Sequence, residues 1–332
     1  MFKFFKLLFL STLISSTIMA VSATSWFCAW IGLEINLLSF ISLMKTPSNK
    51  YSSESIAKYF MTQAMASFIL LFTIIMFTNS KEFNFNLNNL TSITMSASIL
   101  MKMGAAPLHF WFPEVASGIS WTSNLILFTW QKIAPMIILS YMNLLPYLMI
   151  MFIVTSSMIG SILGLNQTCL RKILSYSSIN HISWMLASMM CSMSTWLIYF
   201  MIYSTMNWVI ISTLKSWKMF FISQMNNIKN SPYKIIFMMN FLSLGGLPPF
   251  TGFLPKWITI NQLSSSALFM LMTILILFSL ITLFFYLRIT FASMTLYSVN
   301  STLYKPSNLN LMKSTIMLTT MPLMIVMVLW TI

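Results

Sequence analysis

Eleven stretches of this sequence are apolar for long enough to cross a lipid bilayer, and a chain carrying that pattern has few folds open to it. Crossing about 30 Å of hydrocarbon takes roughly 20 apolar residues in a helix. Runs of that kind fall at 4–22, 25–44, 56–78, 90–110, 121–143, 146–165, 169–191, 194–214, 235–262, 267–290 and 312–331. Inside lipid every backbone N–H and C=O needs a partner within the protein, which makes helices the structure for such runs. The expected fold is an all-α polytopic membrane protein. Composition agrees, because 58% of the 332 residues are hydrophobic and 7% charged, against about 25% charged in soluble domains. A soluble enzyme is excluded. The first run has Lys3 and Lys6 ahead of its apolar core and Ala20-Val21-Ser22-Ala23 behind it, which imitates a secretory signal peptide. Since ten more spans follow, it is expected to remain as the first helix.

The eighteen basic residues sort by depth. With the N-terminus inside and the spans alternating, fourteen fall on the inner side: Lys3, Lys6, Lys45, Lys50, Lys58, Arg171, Lys172, Lys215, Lys218, Lys229, Lys234, Arg288, Lys305 and Lys313. Lys81 alone falls outside. Positive residues gather on the inner side of membrane proteins, so the N-terminus is expected inside and the C-terminus outside. The formal charge of +14 is then a topology signal. It does not read as a nucleic-acid patch, which would interleave basic with polar residues on one face.

Three lysines are left over, Lys102, Lys132 and Lys256, each within a span, and Glu34 lies in the middle of the second. A charge at the membrane centre costs roughly 2.5–3.5 kcal/mol, so four unpaired ones would cost about 10–14 kcal/mol. Snorkelling or a packing ion pair would explain such residues blandly, but snorkelling suits Lys102 and Lys132 poorly. Burial disfavours the charged form of both residue types, while an opposite charge restores it. A buried Glu–Lys pair is therefore switched when one partner moves, and a row of such groups bridged by water is a proton relay.

Two of the spans are interrupted, the fourth at Gly104-Ala105-Ala106-Pro107 and the ninth at Gly245-Gly246-Leu247-Pro248-Pro249. Lys102 precedes the first interruption and Lys256 follows the second. Paired broken helices in corresponding places mark a transport path in inverted-repeat proteins. The expected arrangement is a single membrane domain of two inverted five-helix repeats, 1–143 and 146–290, each with its fourth helix broken, plus a C-terminal helix at 312–331.

His109, seven residues after Lys102, and His181, in the seventh span, titrate near neutral pH when unperturbed and are possible links in the same relay. Glu114, beside Pro113, reads equally as a helix cap or a proton inlet. Cys28, Cys169 and Cys191 are scattered and form no metal or iron–sulfur motif, and no G-x-G-x-x-G fingerprint is present. With four acids (Glu34, Glu54, Glu82, Glu114) and no Asp, no carboxylate cluster for a metal or an acid/base pair is expected.

Four stretches carry a resemblance. They are Trp30-Ile-Gly-Leu-Glu34-Ile-Asn-Leu-Leu-Ser-Phe, Lys102-Met-Gly-Ala-Ala-Pro-Leu-His-Phe-Trp-Phe-Pro-Glu114, Leu165-Asn-Gln-Thr-Cys-Leu-Arg-Lys-Ile-Leu-Ser-Tyr-Ser-Ser-Ile-Asn-His181 and Asn240-Phe-Leu-Ser-Leu-Gly-Gly-Leu-Pro-Pro-Phe-Thr-Gly-Phe-Leu-Pro-Lys256. Together they resemble the antiporter-like subunits of respiratory complex I, in the form found in animal mitochondria, and the resemblance covers essentially the whole chain. It implies that Glu34 is the family's intramembrane glutamate, Lys102 its central lysine, Lys132 its connecting lysine, Lys256 its exit lysine, and His109 the histidine that follows the central lysine. It also implies protons moving from the matrix to the intermembrane space, driven by electron transfer from NADH to ubiquinone elsewhere in the complex.

On the same resemblance, NAD, FMN, iron–sulfur clusters and ubiquinone belong to other subunits, and this chain holds none of them. The partners would be the other membrane subunits of the complex and inner-membrane lipids, with no nucleic acid. The place would be the mitochondrial inner membrane, with the N-terminus in the matrix. Two other readings use the same residues: a stand-alone antiporter exchanging H⁺ for Na⁺ or K⁺, and a structural spacer whose lysines are salt-bridge fasteners.

Overall fold

The computed structural model describes residues 2–45, 50–79, 86–142, 145–227 and 232–295. The last apolar run, 312–331, lies outside the described residues, as do Lys81, Lys229, Lys305 and Lys313. Among the described residues the secondary structure is helical, with one isolated backbone bridge between Cys169 and Phe221. The chain forms two compact units, Met1–Phe152 and Ile153–Ile332.

The first unit contains α1 (Phe2–Val21), α2 (Trp26–Met44), α3 (Lys50–Asn79), α4 (Asn86–Met103), α5 (Trp111–Gly118), α6 (Trp121–Phe128) and α7 (Trp130–Ser140). The boundary between units falls inside α8 (Pro146–Leu165). The second unit continues with α9 (Leu170–Cys191), α10 (Met193–Trp217), a 3₁₀ turn (Ile222–Asn227), α11 (Pro232–Gly245), α12 (Phe253–Ser265) and α13 (Phe269–Thr295). Serines open several helices. The Ser25 hydroxyl accepts from Cys28 N at 3.3 Å at the start of α2, and Ser120 accepts from Ser123 N at 3.4 Å at the start of α6. Both meet the need of the first helical turn for an acceptor.

Six helices (α1, α2, α3, α8, α10 and α13) are each long and apolar enough to cross a bilayer. They expose large apolar side chains to the surroundings, such as Phe4, Leu7, Phe68, Phe72, Met270 and Phe284. α9 is long enough but more polar, and nearly all of it is buried: Ser175, Ser177, Ser178, Asn180, His181, Ser183 and Ser188 are enclosed along it. It faces protein on all sides, so its composition answers to neighbouring helices instead of lipid.

Both expected interruptions are present, and each shows how its freed carbonyls are satisfied. α4 ends at Met103, and Gly104 follows at φ +78°, a conformation that glycine adopts without steric cost. Gly104 N donates to Met101 O (3.1 Å), Ala105 N to Leu100 O (3.0 Å), Trp111 Nε1 to Met101 O (3.2 Å) and Gln63 Nε2 to Lys102 O (3.2 Å). α11 ends at Gly245 with Gly246 at φ +82°. There Gly246 N donates to Ser243 O at 2.9 Å, and the Lys256 ammonium donates to Gly245 O at 2.8 Å. Non-helical backbone at membrane depth requires such internal partners.

A third interruption was not expected. The run 121–143 divides into α6 and α7 at Thr129, where Lys132 N reverts to a short bond to Thr129 O at 3.2 Å. Pro135, inside α7, lies in the following turn, where it has no N–H for the Gln131 carbonyl and crowds it. Two residues grouped with the inner-side anchors are also folded in. Lys234 is 2% exposed, and the Arg288 guanidinium donates to Leu165 O and, at 2.9 Å, to Gln167 O, closing the turn between α8 and α9.

Candidate functional site

In the first unit, Lys102 and Lys132 line one cavity. Lys102 comes from the last turn of α4, immediately before the interruption, and Lys132 from the first turn of α7, immediately after the third one. Asn36 and Leu33 of α2, Tyr59 and Gln63 of α3, and Gln131 of α7 complete the polar and apolar walls, with Phe112 closing one side. The space has room for about one water molecule.

Lys102 is 7% exposed, and among the described residues its Nζ has no hydrogen-bond partner. The charge it feels is that of Glu34, on α2, which acts also on Tyr59. Lys132 is 1% exposed, with its Nζ 5.7 Å from the centroid of the Phe112 ring, within range of a cation–π attraction. Gln131 Nε2 donates to Asn36 Oδ1 at 2.9 Å, tying the helix that carries Glu34 to the half-helix that carries Lys132.

His109 lies in the interruption itself, buried, with Nδ1 3.2 Å from Pro107 O. A carbonyl only accepts, so Nδ1 is the donor and Nε2 of the neutral ring carries the lone pair. That Nε2 has no partner among the described residues. Glu114, one turn into α5, pairs with Lys58 of α3 at 2.7 Å, and Lys58 also reaches Glu54 at 2.8 Å. All three are substantially exposed, so the pairs contribute about 0–1 kcal/mol each. Their effect is to hold α5 against α3 next to the interruption.

In the second unit, Lys256 stands in the first turn of α12, 5% exposed. Besides its bond to Gly245 O, its Nζ lies 5.8 Å from the Trp184 ring centroid. A methyl group on Gly246 would come within 2.9 Å of Lys256 Cδ and 3.0 Å of its Nζ. The bare glycine is what lets the lysine lie along the break. His181 sits in the middle of buried α9, its Nδ1 2.9 Å from the Tyr199 hydroxyl of α10.

The six candidate residues thus fall in two groups: Glu34, Lys102, His109 and Lys132 in the first unit, His181 and Lys256 in the second. Gln63, Asn36 and Gln131 were not singled out by sequence, since amides in a span carry no charge signal. Among the described residues, no three His, Cys, Asp or Glu side chains come together as a metal would need.

Comparison with known proteins bears directly on this arrangement. The model of the family NADH:quinone oxidoreductase/Mrp antiporter, TM, matches residues 23–282. The NADH-ubiquinone oxidoreductase chain 2 of Anopheles gambiae is 46% identical over 92% of this chain and 91% of its own length. That of Aedes aegypti is 45% identical over 96% of each chain. This chain belongs to the NADH-ubiquinone oxidoreductase chain 2 family. The region matched by the family model contains both expected interruptions and all six candidate residues. A chain of respiratory complex I from Thermus thermophilus shares the fold, with a TM-score of 0.87 at 19% identity, covering 97% of this chain and 78% of that one.

Proposed function

We propose that this chain is a proton-translocating membrane subunit of NADH:ubiquinone oxidoreductase, and that Glu34, Lys102, His109, Lys132, His181 and Lys256 carry its protons. One observation supports this above the others: a cavity with room for water is lined by two buried lysines, one of them with an ammonium that no side chain or carbonyl among the described residues accepts from. A buried ammonium without an acceptor is costly to keep as a structural element. In a cavity that admits water, the same group passes a proton to a neighbour by a short hop. Glu34 supplies the control, because moving or neutralising its charge changes how firmly Lys102 holds its proton.

The chain carries out no redox step on this reading. NADH, flavin, iron–sulfur and quinone chemistry belong to other subunits, and the energy reaches this chain as a shift of charge. The reading includes eleven spans, with 1–143 and 146–290 as inverted repeats and 312–331 as a last helix. It also places the chain in the mitochondrial inner membrane among the other membrane subunits, the N-terminus in the matrix and the C-terminus in the intermembrane space. The fourteen-to-one bias of basic residues supports this orientation.

Lys102→Ala in the assembled complex is the test. Proton transfer by a positioned group is worth about 100-fold or more in rate, so coupled turnover is expected to fall by about that factor while the assembled complex persists. An enzyme that assembles and pumps at the parental ratio of protons to electrons would overturn the proposal.

A further inference from the structure

The second unit contains a buried cluster of hydroxyls that the lysine relay leaves unused. Tyr199 and Tyr203 project from α10 and Tyr286 from α13, and all three are enclosed. Tyr203 and Tyr286 lie within electrostatic reach of Tyr199. The Tyr203 hydroxyl meets Ser178 of α9 and Asn207 of α10. The Tyr286 hydroxyl lies near Ser177 of α9 but has no hydrogen-bond partner among the described residues. His181 borders this cluster from α9, with the Tyr203 ring centroid 5.0 Å from its own and its Nδ1 on Tyr199.

The chemistry of the His181 contact differs from that of His109. At His109 a backbone carbonyl pins Nδ1 as a donor. At His181 the partner is a phenol, which both donates and accepts. A neutral imidazole whose Nδ1 holds the lone pair accepts from the Tyr199 O–H. An imidazolium donates from Nδ1–H to the Tyr199 oxygen. The contact therefore persists in both charge states of the ring.

We propose that Tyr199 is the hydroxyl through which His181 takes up and releases a proton, at the border of the buried hydroxyls that α9, α10 and α13 bring together. The step is balanced by one proton. A proton from water adds to the Tyr199 oxygen as that oxygen passes its own hydrogen to Nδ1 of neutral His181, so one O–H bond forms as another breaks and Tyr199 ends as the acceptor of Nδ1–H. The phenol carries one proton before and after, and release runs the same transfer backwards. The inference rests on the relay reading and adds to it a partner for the histidine.

The test uses the assembled complex with Tyr199→Phe, His181→Gln and the two combined. Phe keeps the ring and removes one oxygen, so a packing role survives the change and a hydrogen-bonding role does not. A lost hydrogen bond to a charged group corresponds to about tenfold in rate. Expected is that kcat falls by about this factor in Tyr199→Phe, with the KM for quinone and the amount of assembled complex unchanged. In the His181→Gln background the same change is expected to cost nothing further.

Parental kcat per assembled complex in Tyr199→Phe overturns the inference, even if less complex assembles. So does a double variant whose loss is the product of the two single losses. Tyr203→Phe, expected to lower kcat by less than Tyr199→Phe, is the second variant, and a larger loss there overturns the assignment to Tyr199. A normal Tyr199→Phe enzyme beside a Lys102→Ala enzyme that no longer pumps sinks this inference and leaves the lysine relay standing.

Discussion

The two interrupted helices meet the same requirement in opposite ways. Each ends in a glycine at positive φ, and each leaves a last carbonyl that must find a donor away from water. At the end of α4 that donor is the Gln63 amide, reaching across from α3 to Lys102 O. At the end of α11 it is the Lys256 ammonium, reaching back from α12 to Gly245 O. A neutral amide caps one break and the lysine next to it stays uncommitted, while at the other break the lysine is itself the cap. One lysine thereby keeps its ammonium on the wall of the cavity, and the other holds its own against a backbone carbonyl.

This contrast is broken most forcefully by replacing each lysine with methionine, which keeps length and removes charge. Lys256→Met abandons Gly245 O in a buried place, and is expected to destabilise the assembled complex by about 1–3 kcal/mol. Lys102→Met removes an unaccepted buried ammonium, and is expected to leave stability unchanged or slightly raised. Unfolding midpoints of the two assembled variants measure this, and equal losses would erase the distinction.

Gly246→Ala and Gly104→Ala sharpen it further. Both carry the cost of a side chain at positive φ, about 1–2 kcal/mol. At Gly246 the new methyl group also displaces the Lys256 ammonium, whereas at Gly104 it meets the Phe112 ring from 3.1 Å. Gly246→Ala is expected to lower turnover as well as stability, and Gly104→Ala mainly stability. Turnover measured per assembled complex separates the two cases.

The smallest effect is expected from Glu34→Gln. Glu34 acts on Lys102 by its charge and makes no hydrogen bond to the ammonium, so its influence is expected to be about 1 kcal/mol or less. Coupled turnover should drop by about threefold. Unchanged turnover and pumping ratio would remove Glu34 from control of Lys102.

Much of this was legible from residue types alone. Lys102 and Lys256 stand out because a charge in an apolar run has a known cost, and the breaks at Gly104 and Gly246 because glycine and proline mark them. The third break was less visible. Its position, Thr129, has no glycine or proline, and the nearest helix breaker is Pro135, six residues on. The inward folding of Lys234 and Arg288 was not legible for a related reason. Sequence places a basic residue at a membrane edge, but whether it ends in solvent or folds inward onto a carbonyl depends on which helix packs beside it. The Asn36–Gln131 bond and the Gln63 cap were invisible for the same cause, since they join residues far apart in the chain.

The serines of α9 have a consequence of their own. Ser175, Ser177, Ser178, Ser183 and Ser188 each donate their hydroxyl hydrogen to a carbonyl three residues back in the same helix. Their hydrogens are thus committed, and what they turn to their neighbours is lone pairs. Along the buried length of α9 these five oxygens are therefore acceptors only, able to hold donors that neighbouring helices present, while Asn180, His181 and Trp184 supply the buried side-chain N–H groups of the same helix.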